Sequence, residues 1–240
     1  MKYITNRNEY FKREEIEKAI IHCKENYPLE SGGIFDGEGE FIPFDNLSDE
    51  PDNCYEIDTQ ELYNRLINKD ITCFIHSHIN QNNFRASYAD QIAQGESGIP
   101  YGIISLRNGS CTHCVFFGDG IPTEPLLGRP FVYGVWDCLS LSRDYWLQEY
   151  NYELPDLPRS WCFWYKGEDM VDMFPKDIRQ VPLKDIREGD FLMYRLQSNT
   201  INHLGVMGKG GKALHHFHNQ LSNWFPIAHN RQHLVRAYRL

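Results

Sequence analysis

The stretch Gly118-Asp119-Gly120-Ile121-Pro122-Thr123-Glu124-Pro125-Leu126-Leu127-Gly128-Arg129-Pro130 places three glycines and three prolines in thirteen residues, between two apolar segments. Such a composition favours turns and extended chain and reads as a linker. It divides the 240 residues into halves of unlike charge. Residues 1–120 carry 10 basic and 20 acidic side chains, whereas residues 121–240 carry 14 and 13. A prior of roughly 150 residues per domain allows one or two domains. The linker and the charge step favour two, over 1–120 and 121–240.

Composition excludes several classes. With 41% hydrophobic, 14% aromatic and 24% charged residues the chain is neither disordered nor collagen-like. Apolar runs such as Ile71–Ile75 fall far short of the roughly 18 residues that span a bilayer. The opening residues MKYITNRNEYFKREE lack an apolar core, so no secretory leader is expected. A net charge of −9 argues against a nucleic-acid partner. Seven cysteines without a leader read as mostly reduced thiols, with at least one left for chemistry. Cys111 and Cys114 form a lone C-x-x-C and read as strand residues, since no second pair and no helix start accompany them.

The first half alternates helix and strand signals. Apolar residues at Phe11, Ile16, Ala19, Ile20 and Cys23 predict a helix over Tyr10–Asn26, ended by Pro28. Gly32–Phe35 and Phe41–Phe44 predict strands across the turn Asp36-Gly37. Asp58-Thr59 starts a helix reaching Asn68. Ile71–Ile75 is a buried strand, Ser87 N-caps a helix over Tyr88–Gln94, and Tyr101–Leu106 with Thr112–Phe117 complete a sheet. The second half reads as a helix over Asp137–Tyr150 followed by strands at Phe191–Leu196, His203–Gly208, Lys212–Phe217 and Leu234–Leu240. The expected class is α+β, with an α/β-like first domain.

His76-Ser77-His78 follows the strand Ile71–Ile75. Residues i and i+2 of a strand point to one side, so the two imidazoles can share one Zn²⁺. Asp90, one turn into the helix begun by Ser87, is the natural third ligand, and Glu30 can supply a general base for an acidified water. H-x-H alone is weak, because ten histidines in 240 residues give roughly 0.4 such pairs by chance. The combination carries more. Glu30, His76-Ser77-His78 and Ser87-Tyr88-Ala89-Asp90 together resemble the JAMM (MPN+/JAB) metalloprotease family, whose pattern is Glu, H-[ST]-H, then S-x-x-D. The resemblance covers roughly residues 10–118. It implies zinc on His76, His78 and Asp90, Glu30 as base, and Ser87 helping to hold water or the oxyanion. Two departures, the eight-residue gap from His78 to Ser87 and Ile79 in place of a common proline, fall in the loop and leave the ligands intact.

Gly134-Val135-Trp136-Asp137-Cys138 opens the predicted helix Asp137–Tyr150. A helix N-terminus lowers a thiol's pKa through its dipole and free N–H groups, an effect that Asp137 opposes while it helps to cap the helix. His203 and His215 lie on successive strands joined by Gly208-Lys209-Gly210-Gly211, which can bring them within hydrogen-bond reach as base and orienter. A buried small residue is the plainer reading of a lone helix-start cysteine. Alternation puts His215 and Phe217 on one side, and His216 and His218 on the other. The order resembles the NlpC/P60 cysteine peptidases: Asp137-Cys138, then Asn202-His203-Leu204-Gly205-Val206, then His215 twelve residues after His203. Val181-Pro182-Leu183 and Gly189-Asp190-Phe191-Leu192 add to this resemblance, which covers roughly residues 128–220. It implies Cys138, His203 and His215 as nucleophile, base and orienter, acting on peptidoglycan stem peptides through an acyl-enzyme.

The pairing of these two domains, with Leu127-Gly128-Arg129-Pro130-Phe131 ahead of the cysteine motif, resembles the tail tip proteins of lambda-like siphophages. That resemblance implies other tail tip proteins as partners, assembly in the host cytoplasm, a place in the virion tail tip and action at the host wall. Three readings stay open here. One is a bifunctional wall hydrolase and metalloprotease. Another is an assembly protease that trims a tail protein, one with a ubiquitin-like domain for example. The last is a structural protein with masked or vestigial sites. The run Trp161-Cys162-Phe163-Trp164-Tyr165, in the stretch Pro155–Met173, reads as core packing in preference to a groove wall.

Overall fold

The computed structural model describes residues 3–4, 11–68, 70–80, 85–168, 174–175 and 178–240. The chain forms two compact mixed α+β units, Met1–Pro122 and Thr123–Leu240.

The first unit is one six-stranded sheet with three helices. Its elements are β1 (Tyr3–Ile4), α1 (Arg13–Glu25), β2 (Gly32–Asp36), β3 (Phe41–Phe44), α2 (Thr59–Ile67), β4 (Ile71–Ile79), α3 (Tyr88–Ser97), β5 (Tyr101–Arg107) and β6 (Ser110–Phe117). The spatial order is β1-β6-β5-β4-β2-β3. β4 and β5 run parallel, with α3 as their crossover, and β1 joins β6 in parallel. The spacing of Ile16, Ala19, Ile20 and Cys23 puts them on one stripe of α1, which packs on Phe35, Ile75, Ile104 and Phe116. Of the helix expected over Tyr10–Asn26, Tyr10 lies outside the described residues and Asn26 is the C-cap.

β4 corrects one expected boundary. It does not stop at Ile75 but runs on through His76-Ser77-His78, because β5 continues its ladder as far as Ile79 opposite Leu106. On the other side β2 pairs Gly32 with His76. The strands approach so closely there that a Cβ on Gly32 would lie 2.2 Å from the Ile75 carbonyl oxygen. Only glycine fits. Cys111 and Cys114 both lie in β6.

The second unit is a fully antiparallel six-stranded sheet against one long helix. It comprises α4 (Cys138–Tyr150), β7 (Arg179–Val181), β8 (Phe191–Tyr194), β9 (His203–Met207), β10 (Lys212–His215), β11 (Asn223–Pro226) and β12 (Leu234–Arg239). The order is β11-β10-β9-β8-β12-β7. β8 is buried along its whole length. Phe191 and Met193 join Leu139, Trp146 and Leu204 in one core, while Leu192 and Tyr194 join Ala213 and Ala237 in another, as strand alternation requires. Trp146 locks α4 to the turn before β8 by donating Nε1–H to the Gly189 carbonyl at 2.7 Å. β8 ends two residues earlier than expected. The Asn202 amide takes both the N–H and the C=O of Leu196, at 2.8 and 2.9 Å, and so closes the chain into a loop. β10 likewise ends at His215, where its pairing with β9 and β11 runs out. The short strands β7 and β11 carry no readable alternation in the sequence.

Candidate functional sites

In the first unit, β4 and the start of α3 bring three expected residues together. His76 and His78 project from one side of β4, with their Nε2 atoms 3.1 Å apart. Asp90 faces both: Oδ1 lies 3.3 Å from His76 Nε2 and Oδ2 lies 3.2 Å from His78 Nε2. Tetrahedral ligands at about 2.0–2.1 Å from zinc stand about 3.3 Å apart, so the donor set fits the ion. Among the described residues these three form a cluster whose ligand atoms lie close enough together to hold one metal ion. All three are buried.

Local sequence explains the aim. Ser87 is the N-cap of α3 and Asp90 is three residues on. Ser87 Oγ accepts the Asp90 N–H at 3.1 Å, and Asp90 Oδ2 accepts the Ser87 N–H at 2.6 Å. This capping box fixes the carboxylate toward β4. Burial pushes the Asp90 carboxyl up, but the two histidines outweigh it and hold it below the ordinary carboxylate range. Glu30 is buried beside His78 and the Ile79 N–H. Burial raises its carboxyl above the usual range, against the pull of His78. The ring of Tyr55 stacks on His76, 12° from parallel. Ser87, the fifth expected residue, has its hydroxyl engaged at the cap.

In the second unit, Cys138 is the first residue of α4 and His203 the first of β9. Both line a cavity of about 470 Å³. The Leu204 N–H faces the Cys138 thiol, and His203 Nε2 lies 2.9 Å from His215 Nδ1. Phe217 stacks on both histidines, 13° and 22° from parallel. Gly205 makes this possible, since a Cβ there would come within 2.7 Å of the His215 ring.

The thiol corrects one expectation. It is not lowered by the helix end. Packing round the sulfur desolvates it and, with Asp137, pushes it up to about 12; the Leu204 N–H and Arg159 oppose this without reversing it. Burial also holds His203 well below its ordinary value and His215 down to about 4. At neutral pH the centre therefore rests as neutral thiol and neutral imidazole.

Two contributors escaped the sequence, and a third stretch was read as core. Arg159, buried, pairs with the Asp137 carboxylate. His216 is also buried, with the carbonyls of Arg129 and Asp137 facing its ring. The run 161–165 was expected in the core, but only Phe163 is buried there; Trp161, Cys162, Trp164 and Tyr165 are partly or fully exposed and line the cavity. The alternation signal was right for His215 and Phe217. No spacing marks Arg159.

The comparisons bear on both units. The chain is 31% identical over 156 residues to tail tip assembly protein K of Escherichia phage lambda, a match spanning 64% of this chain and 73% of that protein. This chain belongs to the tail tip assembly protein K family. Another relative with the same name, from Escherichia phage N15, is 25% identical over 223 residues, covering 90% of this chain and 89% of its own. Within this tail tip assembly chain, residues 128–236 match the NlpC/P60 family. The crystal structure of the NlpC/p60 domain of peptidoglycan hydrolase SagA is similar at a TM-score of 0.36 and 15% identity, over 48% of this chain and 90% of that one. No helix among the described residues is long and apolar enough to cross a membrane.

Proposed function

We propose that this tail tip protein is a hydrolase with two centres, a cysteine endopeptidase that cuts peptidoglycan stem peptides and a zinc-dependent JAMM-type peptidase. The observation that carries the first is the 2.9 Å contact of His203 Nε2 with His215 Nδ1 on the wall of the Cys138 cavity. With Nε2 committed to His215, Nδ1 of His203 is the nitrogen left to take the thiol proton. Cys138 Sγ attacks the peptide carbonyl carbon as that proton moves to His203. The oxyanion forms beside the Cys138 N–H at the start of α4, the N–H groups of Leu139 and Ser140 being held by Asp137. His203 then protonates the leaving amine, the C–N bond breaks, and water hydrolyses the thioester. His215 holds the imidazole in the tautomer this requires.

His76, His78 and Asp90 would hold Zn²⁺ in the first unit. Bound there, the ion supplies Lewis acidity and acidifies water at the site. Glu30, buried beside His78, is positioned to take a proton, and Ser87 keeps Asp90 aimed at the histidines. This half takes the domain role 1–120, and the NlpC/P60 half 121–240. The names of the two phage relatives place the protein in tail assembly. We infer assembly with other tail tip proteins in the host cytoplasm, residence in the virion tail tip and action at the host wall. For the metal centre we infer a second substrate, a tail protein trimmed during assembly, from the family names of the relatives.

The deciding experiment digests purified Gram-negative peptidoglycan with wild type and Cys138→Ala side by side, reading released stem peptides by mass spectrometry. Cleavage by wild type alone is expected. Equal products from both would overturn the cysteine assignment.

A further inference from the structure

Arg159 lies in the irregular segment after α4, and its side chain is 2% exposed. Its guanidinium donates to Asp137 Oδ2 and, at 2.8 Å, to the Leu157 carbonyl. It lies over the Tyr133 ring, 5.5 Å from the centroid, and the Tyr133 hydroxyl donates to the Ser160 carbonyl at 2.7 Å. The arginine is therefore held from both sides and has a set position.

Asp137 is the N-cap of α4. Oδ1 accepts the Leu139 and Ser140 N–H groups at 3.0 and 3.2 Å, and Oδ2 accepts the Gly134 N–H at 2.9 Å. The helix cap needs an oxygen acceptor at Oδ1, which asparagine can supply as aspartate does, whereas its Nδ2 cannot accept the Gly134 N–H that Oδ2 takes. The negative charge is a separate matter. Buried one residue from Cys138, it opposes the anion that the sulfur must become. A buried carboxylate without a counter-ion would also be costly in itself.

We propose that Arg159 is a positioning residue for the cysteine centre: by pairing with Asp137 inside the protein, it neutralises the carboxylate beside Cys138 while leaving the cap of α4 in place. Arg159 thus keeps the helix end electropositive where the sulfur sits, and it makes the 157–160 segment part of the nucleophile's surroundings. The titratable and charged groups lining the cavity with Cys138 are Asp137, Arg159, Tyr133, Cys162, Tyr165, His203, His216 and His218, and Asp156 Oδ1 lies 3.7 Å from Arg159 Nη1, whereas Asp137 meets Nη2. Of the cavity groups, Asp137 carries the negative charge and Arg159 offsets it. This rests on Cys138 being the nucleophile.

The test reads the thiol directly. The rate of Cys138 carboxamidomethylation by iodoacetamide is followed from about pH 6 to about pH 10, on the Cys138 peptide by mass spectrometry, in the full chain. Arg159→Met is expected to slow alkylation at neutral pH by about tenfold or more, as a thiol titrating one unit higher would. Arg159→Lys, which keeps the charge but not the fork, recovers part of the rate and covers the case in which the methionine variant fails to fold. Asp137→Asn combined with Arg159→Met recovers at least half of the lost factor on a log scale, since the Oδ1 cap survives and the charge is gone, while the Gly134 N–H loses its acceptor. A single variant as fast as wild type, or a double variant as slow as the single, overturns the proposal and leaves Arg159 a packing residue. Peptidoglycan digestion is measured in parallel. Rescue of alkylation without digestion by any variant or wild type would overturn the peptidase reading and not the role of Arg159.

Discussion

The imidazoles of His203 and His215 lie 18° from parallel and share a 2.9 Å nitrogen–nitrogen contact. One carries the proton and the other carries the first. His203→Ala is therefore expected to lower kcat for stem-peptide cleavage by roughly 10⁴-fold. His215→Ala leaves the base and removes only its orienter, so its loss is milder, about 10²-fold in kcat with KM little changed. Steady-state kinetics on a soluble stem peptide checks both, and equal losses would make His215 more than an orienter.

Gly205→Ala tests the same pair through the backbone. The added methyl meets the His215 ring at 2.7 Å, so the ring must leave its place beside His203. The variant is expected to fold, with lowered Tm, and to fall to the activity of His215→Ala. Combining the two substitutions should cost no further activity. An additive loss would show that Gly205 acts elsewhere.

Acid should weaken the second unit. His215 and His216 are each held down to about 4 by burial, against an ordinary value of 6.5. The unfolded chain takes up protons near pH 6.5 and the folded chain only near pH 4. Stability from these histidines is complete above about pH 6.5 and is lost as pH falls toward about 4, by up to about 3 kcal/mol each. All five tryptophans, Trp136, Trp146, Trp161, Trp164 and Trp224, lie in this unit, so tryptophan fluorescence follows its melting alone. Tm is expected to drop between pH 7 and pH 5, and less steeply in His216→Phe. A flat profile in wild type contradicts the burial argument.

Metal content separates the roles of Ser87 and Asp90. Wild type is expected to carry about one zinc per chain by elemental analysis, and His78→Ala or Asp90→Ala to lose it. Ser87→Ala gives up the cap, about 1 kcal/mol, and keeps most of the metal. Glu30→Gln keeps the metal and loses any activity of that centre. Chelation should leave Cys138-dependent digestion unchanged. Equal zinc in wild type and Asp90→Ala would remove Asp90 from the ligand set.

The sequence was legible where a short interval decides geometry. Two residues along a strand align His76 with His78, three along a helix start aim Asp90, and a glycine-rich turn folds His215 back on His203. It was silent where the decision belongs to distant chain. Arg159 reaches Asp137 from a segment with no period, and nothing in its neighbours announces an ion pair. The direction of the Cys138 shift depends on how much protein surrounds the sulfur, which a helix-end rule leaves out. Tyr165 and Trp164 look like core by composition, yet they come from a turn that faces the cavity. The strands β7 and β11 are too short for alternation to register, and hydrogen bonding to β12 and β10 alone defines them.

The antiparallel order of the second sheet sets the timing of its chemistry. β9 and β10 are neighbours in both sequence and space, so the histidine pair is a local structure whose closure needs only a short loop. Cys138 leaves the ribosome well before either histidine. Until the hairpin follows, the nascent chain carries an ordinary thiol with no base to take its proton. A chain cut short before His203 thus lacks the base for cleavage, and full competence waits for His215, which holds that base in place.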